Sequence, residues 1–404
     1  MIKNKDFLIN QYEQVREEFH RRYSIVNVSN DANDDTYPPF TLAVDVVNSL
    51  YSNTNKIFAS DGSLIVELEN EQILVLGITS NFRPKAFASK NQNVYLAVIS
   101  TGLIKTLFDV SLAIWGDSNF FARHINANGC MPPNSVFSGL DIPRGIESMY
   151  FEHMKSQKDF NYTTQPVWSN QALENLSTER RKLMISTFKE ALKFCWLHES
   201  AHILRGHLDF IKENAQGIDS IEISELEYLE LGNSISTNNP NLDQVRCALE
   251  LDADNFGLVC LFGEAYNVDY DVFPITTFLG SILSFMVLYC SHEVQSIKSR
   301  KKNSTNLQLK ITHPPQWFRA VMVKEVESII WTQFQQNRID LALNARERNL
   351  NYLNECLLDI SNIHPLYGSW VSNLIEEHYD IIMKMKKEMI DNLSKISLVQ
   401  KSCK

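Results

Sequence analysis

The stretch "FCWLHESAHILRGHLDF", Phe194–Phe210, constrains this chain most, because it asks one helix to be both apolar and rich in histidine. His198, Glu199 and His202 stand there in the order H-E-x-x-H. Residues four apart on an α-helix share a face, so His198 and His202 aim two imidazoles at one point. Glu199 lies about 100° further round the helix, beside that point. Two imidazoles with a neighbouring carboxylate suit a zinc ion and a base that takes a proton from water. A core helix that happens to be rich in histidine is the competing explanation, and the short motif alone does not choose between them.

A third ligand is the next requirement. His207 is nine residues beyond His198 and would point about 180° away on a straight helix. The longer metzincin pattern H-E-x-x-H-x-x-G-x-x-H needs glycine at 205 and histidine at 208, where the chain has Arg205 and Leu208. His207 is therefore not expected to bind the metal. The segment "CALELDADNFG", Cys247–Gly257, offers a better ligand. Glu250 and Asp254 share a helix face, while Asp252 points elsewhere. Glu250 can bind the ion while Asp254 holds a ligand histidine by its other ring nitrogen. The alternatives are a solvated acidic helix face, or a closed structural zinc site in which Cys195 and Cys247 join the two histidines.

The rest of the chain bounds the setting. Its 404 residues are 44% hydrophobic and 21% charged, with a net charge of −10 and no basic stripe, so nucleic acid is not an expected partner. Seven scattered cysteines without a C-x-x-C pair, and an N-terminus that lacks an apolar core segment, point to a cytoplasmic protein with reduced thiols. One uncharged run, "FPITTFLGSILSFMVLYC", contains proline, glycine and hydroxyl residues and is barely long enough to span a bilayer. It is expected to be a buried helix, with no membrane partner.

Along the sequence, an amphipathic helix is expected at about 5–24, followed by strands "LIVELE", "ILVLGIT" and "VYLAVIS" and the helix "TGLIKTLFDVSLAIWG". Residues 117–176 read as a long irregular insertion expected to gate the cleft. A helix capped by Ser177 should run to about Asn214, and another should cover about 241–262. The acidic stretch between those two helices reads as a connector.

Taken together, "HESAHILRGH", "ELDAD", "THPPQWFR" and the upstream "KAFASKNQNVYLAVISTGLIKTL" resemble the gluzincin superfamily of zinc metallopeptidases, which includes the heat-shock protease HtpX and the CAAX-prenyl proteases. The resemblance covers roughly 85–120 and 180–322. It implies His198, His202 and Glu250 as Zn2+ ligands, Glu199 as general base and Asp254 as partner of a ligand histidine. It also implies His313 as a stabiliser of the reaction oxyanion, with a turn role before Pro314–Pro315 as the alternative, and Arg319 as structural. In the family, the element at 85–107 is an edge strand lining the cleft, followed by a helix under the zinc helix. Lys85 departs from the usual asparagine, and the family's membrane spans are absent.

The expectation is an α+β, zincin-like fold: a small, mostly antiparallel sheet backed by the H-E-x-x-H helix. Its parts are a lead-in (1–60), a catalytic domain (61–325) carrying the insertion, and a helical C-terminal extension (326–404). The expected function is zinc-dependent cleavage of a cytoplasmic protein or peptide. The alternatives are a phage-exclusion protease similar to Lit, acting on a translation factor, or an interaction protein with structural zinc.

Overall fold

The computed structural model describes residues 5–25, 38–51, 56–68, 71–81, 84–118, 120, 173–214, 221–224, 240–268, 276–285, 287, 319, 322–323, 326–330, 351 and 355. Helix α1 (Lys5–Tyr23) buries Leu8, Tyr12, Val15, Phe19 and Tyr23, one residue every three or four positions. That spacing makes a single apolar stripe, which needs an apolar surface to cover it.

A six-stranded sheet supplies that surface. Its strands are β1 (Lys56–Phe58), β2 (Leu64–Glu67), β3 (Ile73–Thr79), β4 (Ala86–Asn91), β5 (Val94–Ser100) and β6 (Ile221–Ser224), in the order β1-β2-β3-β5-β4-β6. Side chains alternate between the two faces of a strand. Ile73, Val75, Val94, Leu96 and Val98 therefore meet α1, while Leu74, Leu76, Ile78, Tyr95, Ala97 and Ile99 join the larger core behind the sheet. Covered on both faces, β3 and β5 are buried throughout, which is why "ILVLGIT" and "VYLAVIS" are continuous apolar runs.

The sheet is mixed. β3 and β5 run parallel, with Ile73 opposite Val94, and the other four neighbouring pairs are antiparallel. Two details depart from the sequence expectation. The strand within 85–107, β4, is not at the edge, because β6 pairs with it and sets Phe87 opposite Ser224 and Lys90 opposite Ile221. Moreover, β6 comes from the acidic stretch expected to be only a connector. An edge strand carries unpaired backbone groups, and the short "IEIS" satisfies them.

The helices after α1 include α2 (Pro38–Ser49), α3 (Thr101–Gly116), α4 (Thr178–Leu204), α5 (His207–Asn214), α6 (Pro240–Val268) and α7 (276–285). Ser100 caps α3 by accepting from the Leu103 backbone N–H at 3.0 Å. Ser177 caps α4 by accepting from the Arg180 N–H at 3.3 Å, at the position anticipated from the sequence. α3 lies against α4: the Phe108 and Phe188 rings meet edge to face at 5.3 Å, and the Trp115 indole N–H donates to Thr187 Oγ1 at 3.0 Å. The buried Arg180 then donates to the carbonyls of Trp115, Asp117 and Phe120, satisfying groups that the end of α3 leaves open.

Within the uncharged run, α7 buries Phe278, Leu279, Leu283 and Phe285 in the core. Among the described residues no helix is long and apolar enough to cross a membrane. Most of the expected insertion (121–172) and nearly all of the C-terminal extension lie outside the described residues.

Candidate metal centre

The second half of α4 has no solvent-facing stripe: every residue from Phe194 to Ile203 is buried. Such a helix is covered all round, here by the sheet, α3 and α6. On the side facing α6, His198 and His202 turn their Nε2 atoms toward each other at 3.2 Å. Glu250 reaches in from α6, with Oε2 3.3 Å from His198 Nε2 and Oε1 3.5 Å from His202 Nε2. Among the described residues these three form the group able to hold a metal ion, and all three are buried. Ligands held at about 2.0–2.1 Å in a tetrahedron stand about 3.3 Å apart, so the spacing fits.

The electrostatics agree with a cation at this place. Burial alone would lower the pKa of the His198 imidazole, but Asp254 and Glu250 outweigh it and hold the pKa well above the usual value. Glu199 is 1% exposed and sits next to His198 in the same buried turn of α4.

Asp254 takes the place anticipated for it, with Oδ1 2.9 Å from His198 Nδ1. Arg319 donates from Nε and Nη2 to the two Asp254 oxygens, both at 2.6 Å, and its guanidinium lies 4.9 Å from the centre of the Phe285 ring. Burial raises the Asp254 carboxyl, yet Arg319 and His198 bring it below the usual carboxylate range. Arg319, expected only to be structural, is the group that keeps this carboxylate ionised and aimed.

His207 requires a correction. It is not a member of the metal-holding group, but it does not point away from it either. The helix stops at Leu204. Arg205 takes φ −90° and ψ 0°, Gly206 takes φ +75°, and a new helix starts at His207. Glycine enters that left-handed conformation without a Cβ penalty, and the Gly206 N–H donates to the Ile203 carbonyl at 3.0 Å. The turn swings His207 back, so that its Nδ1 is 3.0 Å from His202 Nδ1 and its Nε2 is 3.1 Å from Asp252 Oδ2. Asp252 also receives Nε and Nη2 of Arg205 at 2.9 and 3.0 Å. Burial raises the Asp252 carboxyl, but His207 and Arg205 prevail and press it down to about 2. The glycine after "HILR" was the available signal for this break.

Cys195 is a buried core residue outside the metal-holding group. The side chain of Cys247 and all of His313 lie outside the described residues. Compared with known proteins, the chain matches no family model, no curated protein and no solved structure. The site stands on its own geometry.

Proposed function

We propose that this chain is a zinc-dependent endopeptidase of gluzincin type, in which His198, His202 and Glu250 hold the ion. The observation that carries the proposal is the buried His-His-Glu triangle with Glu199 on the adjoining helix position. Two imidazole nitrogens and one carboxylate oxygen are a zinc donor set, and the three ligands found among the described residues are the number that a catalytic zinc site takes from its protein. Bound there, zinc supplies Lewis acidity and makes a water acidic near neutral pH. Glu199 takes the proton from the attacking water and returns it to the leaving amine. Asp254 lies at Nδ1 of His198, so Nε2 is the ring atom that faces the other two ligands and the ion. His313, for which the sequence resemblance implies an oxyanion contact, belongs to the same proposal. The substrate class is a protein or peptide chain.

The test replaces Glu199 by Gln, which keeps the shape and removes the proton acceptor. The variant is expected to bind zinc at wild-type stoichiometry, to melt as the wild type does, and to lose cleavage of a peptide library by at least about 100-fold. Full activity in a zinc-loaded Glu199→Gln protein would overturn the assignment of the base.

A further inference from the structure

We infer that His207 is a positioning residue of the metal centre: it fixes the tautomer and ring orientation of His202 by linking it to the Asp252–Arg205 pair. The inference rests on the metal reading of the His198, His202 and Glu250 group.

The proton positions follow from one starting point. His202 turns Nε2 toward His198 Nε2 and Glu250, so Nε2 is the atom that presents a lone pair to an ion. A neutral imidazole with its lone pair on Nε2 carries its proton on Nδ1. That N–H donates to His207 Nδ1 at 3.0 Å, which must then be an acceptor. His207 therefore holds its own proton on Nε2 and donates it to Asp252 Oδ2 at 3.1 Å. The forked donors of Arg205 fasten both Asp252 oxygens. Every donor in the row meets an acceptor, and the direction reverses nowhere.

Burial makes the row necessary. His202 is 0% and His207 2% exposed, so the two rings meet away from bulk solvent and His207 supplies the acceptor that His202 Nδ1 needs. Asp252 follows Glu250 by two positions, about 200° round the α6 helix, so it sits on a different face from the ligand carboxylate. The His207 ring spans the distance between His202 and that carboxylate. The two ligand histidines are thus braced differently: His198 by Asp254, which Arg319 holds in turn, and His202 through His207 by Asp252 and Arg205. Removing outer partners of metal-ligand histidines commonly costs about 10–100-fold in metal affinity.

The experiment uses the full-length protein with His207→Leu and His207→Gln. Leucine fills space without accepting or donating. Glutamine can accept from His202 through its amide oxygen and donate to Asp252 through its amide nitrogen. Zinc affinity is read by competition with a chromophoric chelator, and the ligand field by the visible spectrum of the cobalt(II)-loaded protein. His207→Leu is expected to weaken zinc by about 10–100-fold and shift the cobalt spectrum, and His207→Gln to recover most of both. Asp252→Ala serves if the leucine variant fails to fold, and should move affinity and spectrum in the same direction. Wild-type affinity and spectrum in the folded leucine variant, or in Asp252→Ala, would overturn the inference. So would a glutamine variant as impaired as the leucine one. A wild-type protein that takes up no metal would instead overturn the metal-centre reading itself, so the two failures are distinguishable.

Discussion

Asp61 illustrates what a single side chain contributes away from the candidate metal centre. Its Oδ2 accepts from the Tyr12 hydroxyl at 2.7 Å and lies 2.9 Å from His20 Nε2, and its Oδ1 accepts from the Ser63 backbone N–H at 2.9 Å. These contacts tie α1 to the turn between β1 and β2. Burial would raise the Asp61 pKa, but Tyr12, His20 and Ser63 together hold it below the ordinary value of 3.8. A carboxyl whose folded pKa is depressed stabilises the fold above its unfolded pKa, and that contribution fades as pH falls through the folded value. Asp61→Asn should therefore cost about 1.5–3 kcal/mol at neutral pH. It should also give a flatter loss of stability below about pH 4. Urea unfolding at a series of pH values, with chelator present, checks both. Parallel curves for wild type and variant would show that Asp61 carries no charge-dependent stability.

At the scale of elements, α7 packs closely against the part of α4 that precedes the histidines. α7 presents Thr277, Gly280, Ser281 and Ser284 among its buried residues, and the Ser284 hydroxyl donates to the Ala191 carbonyl at 3.2 Å. A Cβ at Gly280 would lie 2.7 Å from the Ala191 nitrogen and 2.8 Å from the Thr187 carbonyl oxygen. Those are backbone atoms and cannot step aside, so the helices approach closely only because residue 280 is glycine. This explains why an uncharged run long enough to suggest a bilayer span carries glycine and hydroxyl residues. Gly280→Ala should separate the helices and destabilise the protein by about 1–3 kcal/mol. A denaturation midpoint unchanged from wild type would place the helix contact elsewhere.

For the whole molecule, the centre joins parts of the chain that are far apart in sequence. α4 brings the two histidines, α6 the carboxylates, and residue 319 the arginine behind Asp254. An ion that binds only when these parts are assembled stabilises the fold by mass action, by about 2.7 kcal/mol at a free concentration 100 times Kd. Zinc should raise the melting temperature by several degrees, a chelator should reverse it, and His198→Ala should abolish the shift. Differential scanning calorimetry measures this directly. A zinc-induced rise that persists in His198→Ala would place the ion elsewhere.

Local spacing determined a great deal. H-E-x-x-H on a helix placed His198 and His202 on one face, and the four-residue step from Glu250 to Asp254 did the same for the facing carboxylates, because helical periodicity is a property of neighbouring residues. The apolar runs of β2, β3 and β5 and the cap at Ser177 were legible for the same reason. Pairing across the molecule was not. That β3 and β5 run parallel, that "IEIS" covers the edge of β4, and that Arg319 closes on Asp254 all depend on which surfaces meet after collapse. His207 lies between the two cases. Its glycine neighbour is a residue that can stop a helix, yet the helix was expected to run on to about Asn214, and the direction in which the chain resumed brings His207 between His202 and the Asp252–Arg205 pair.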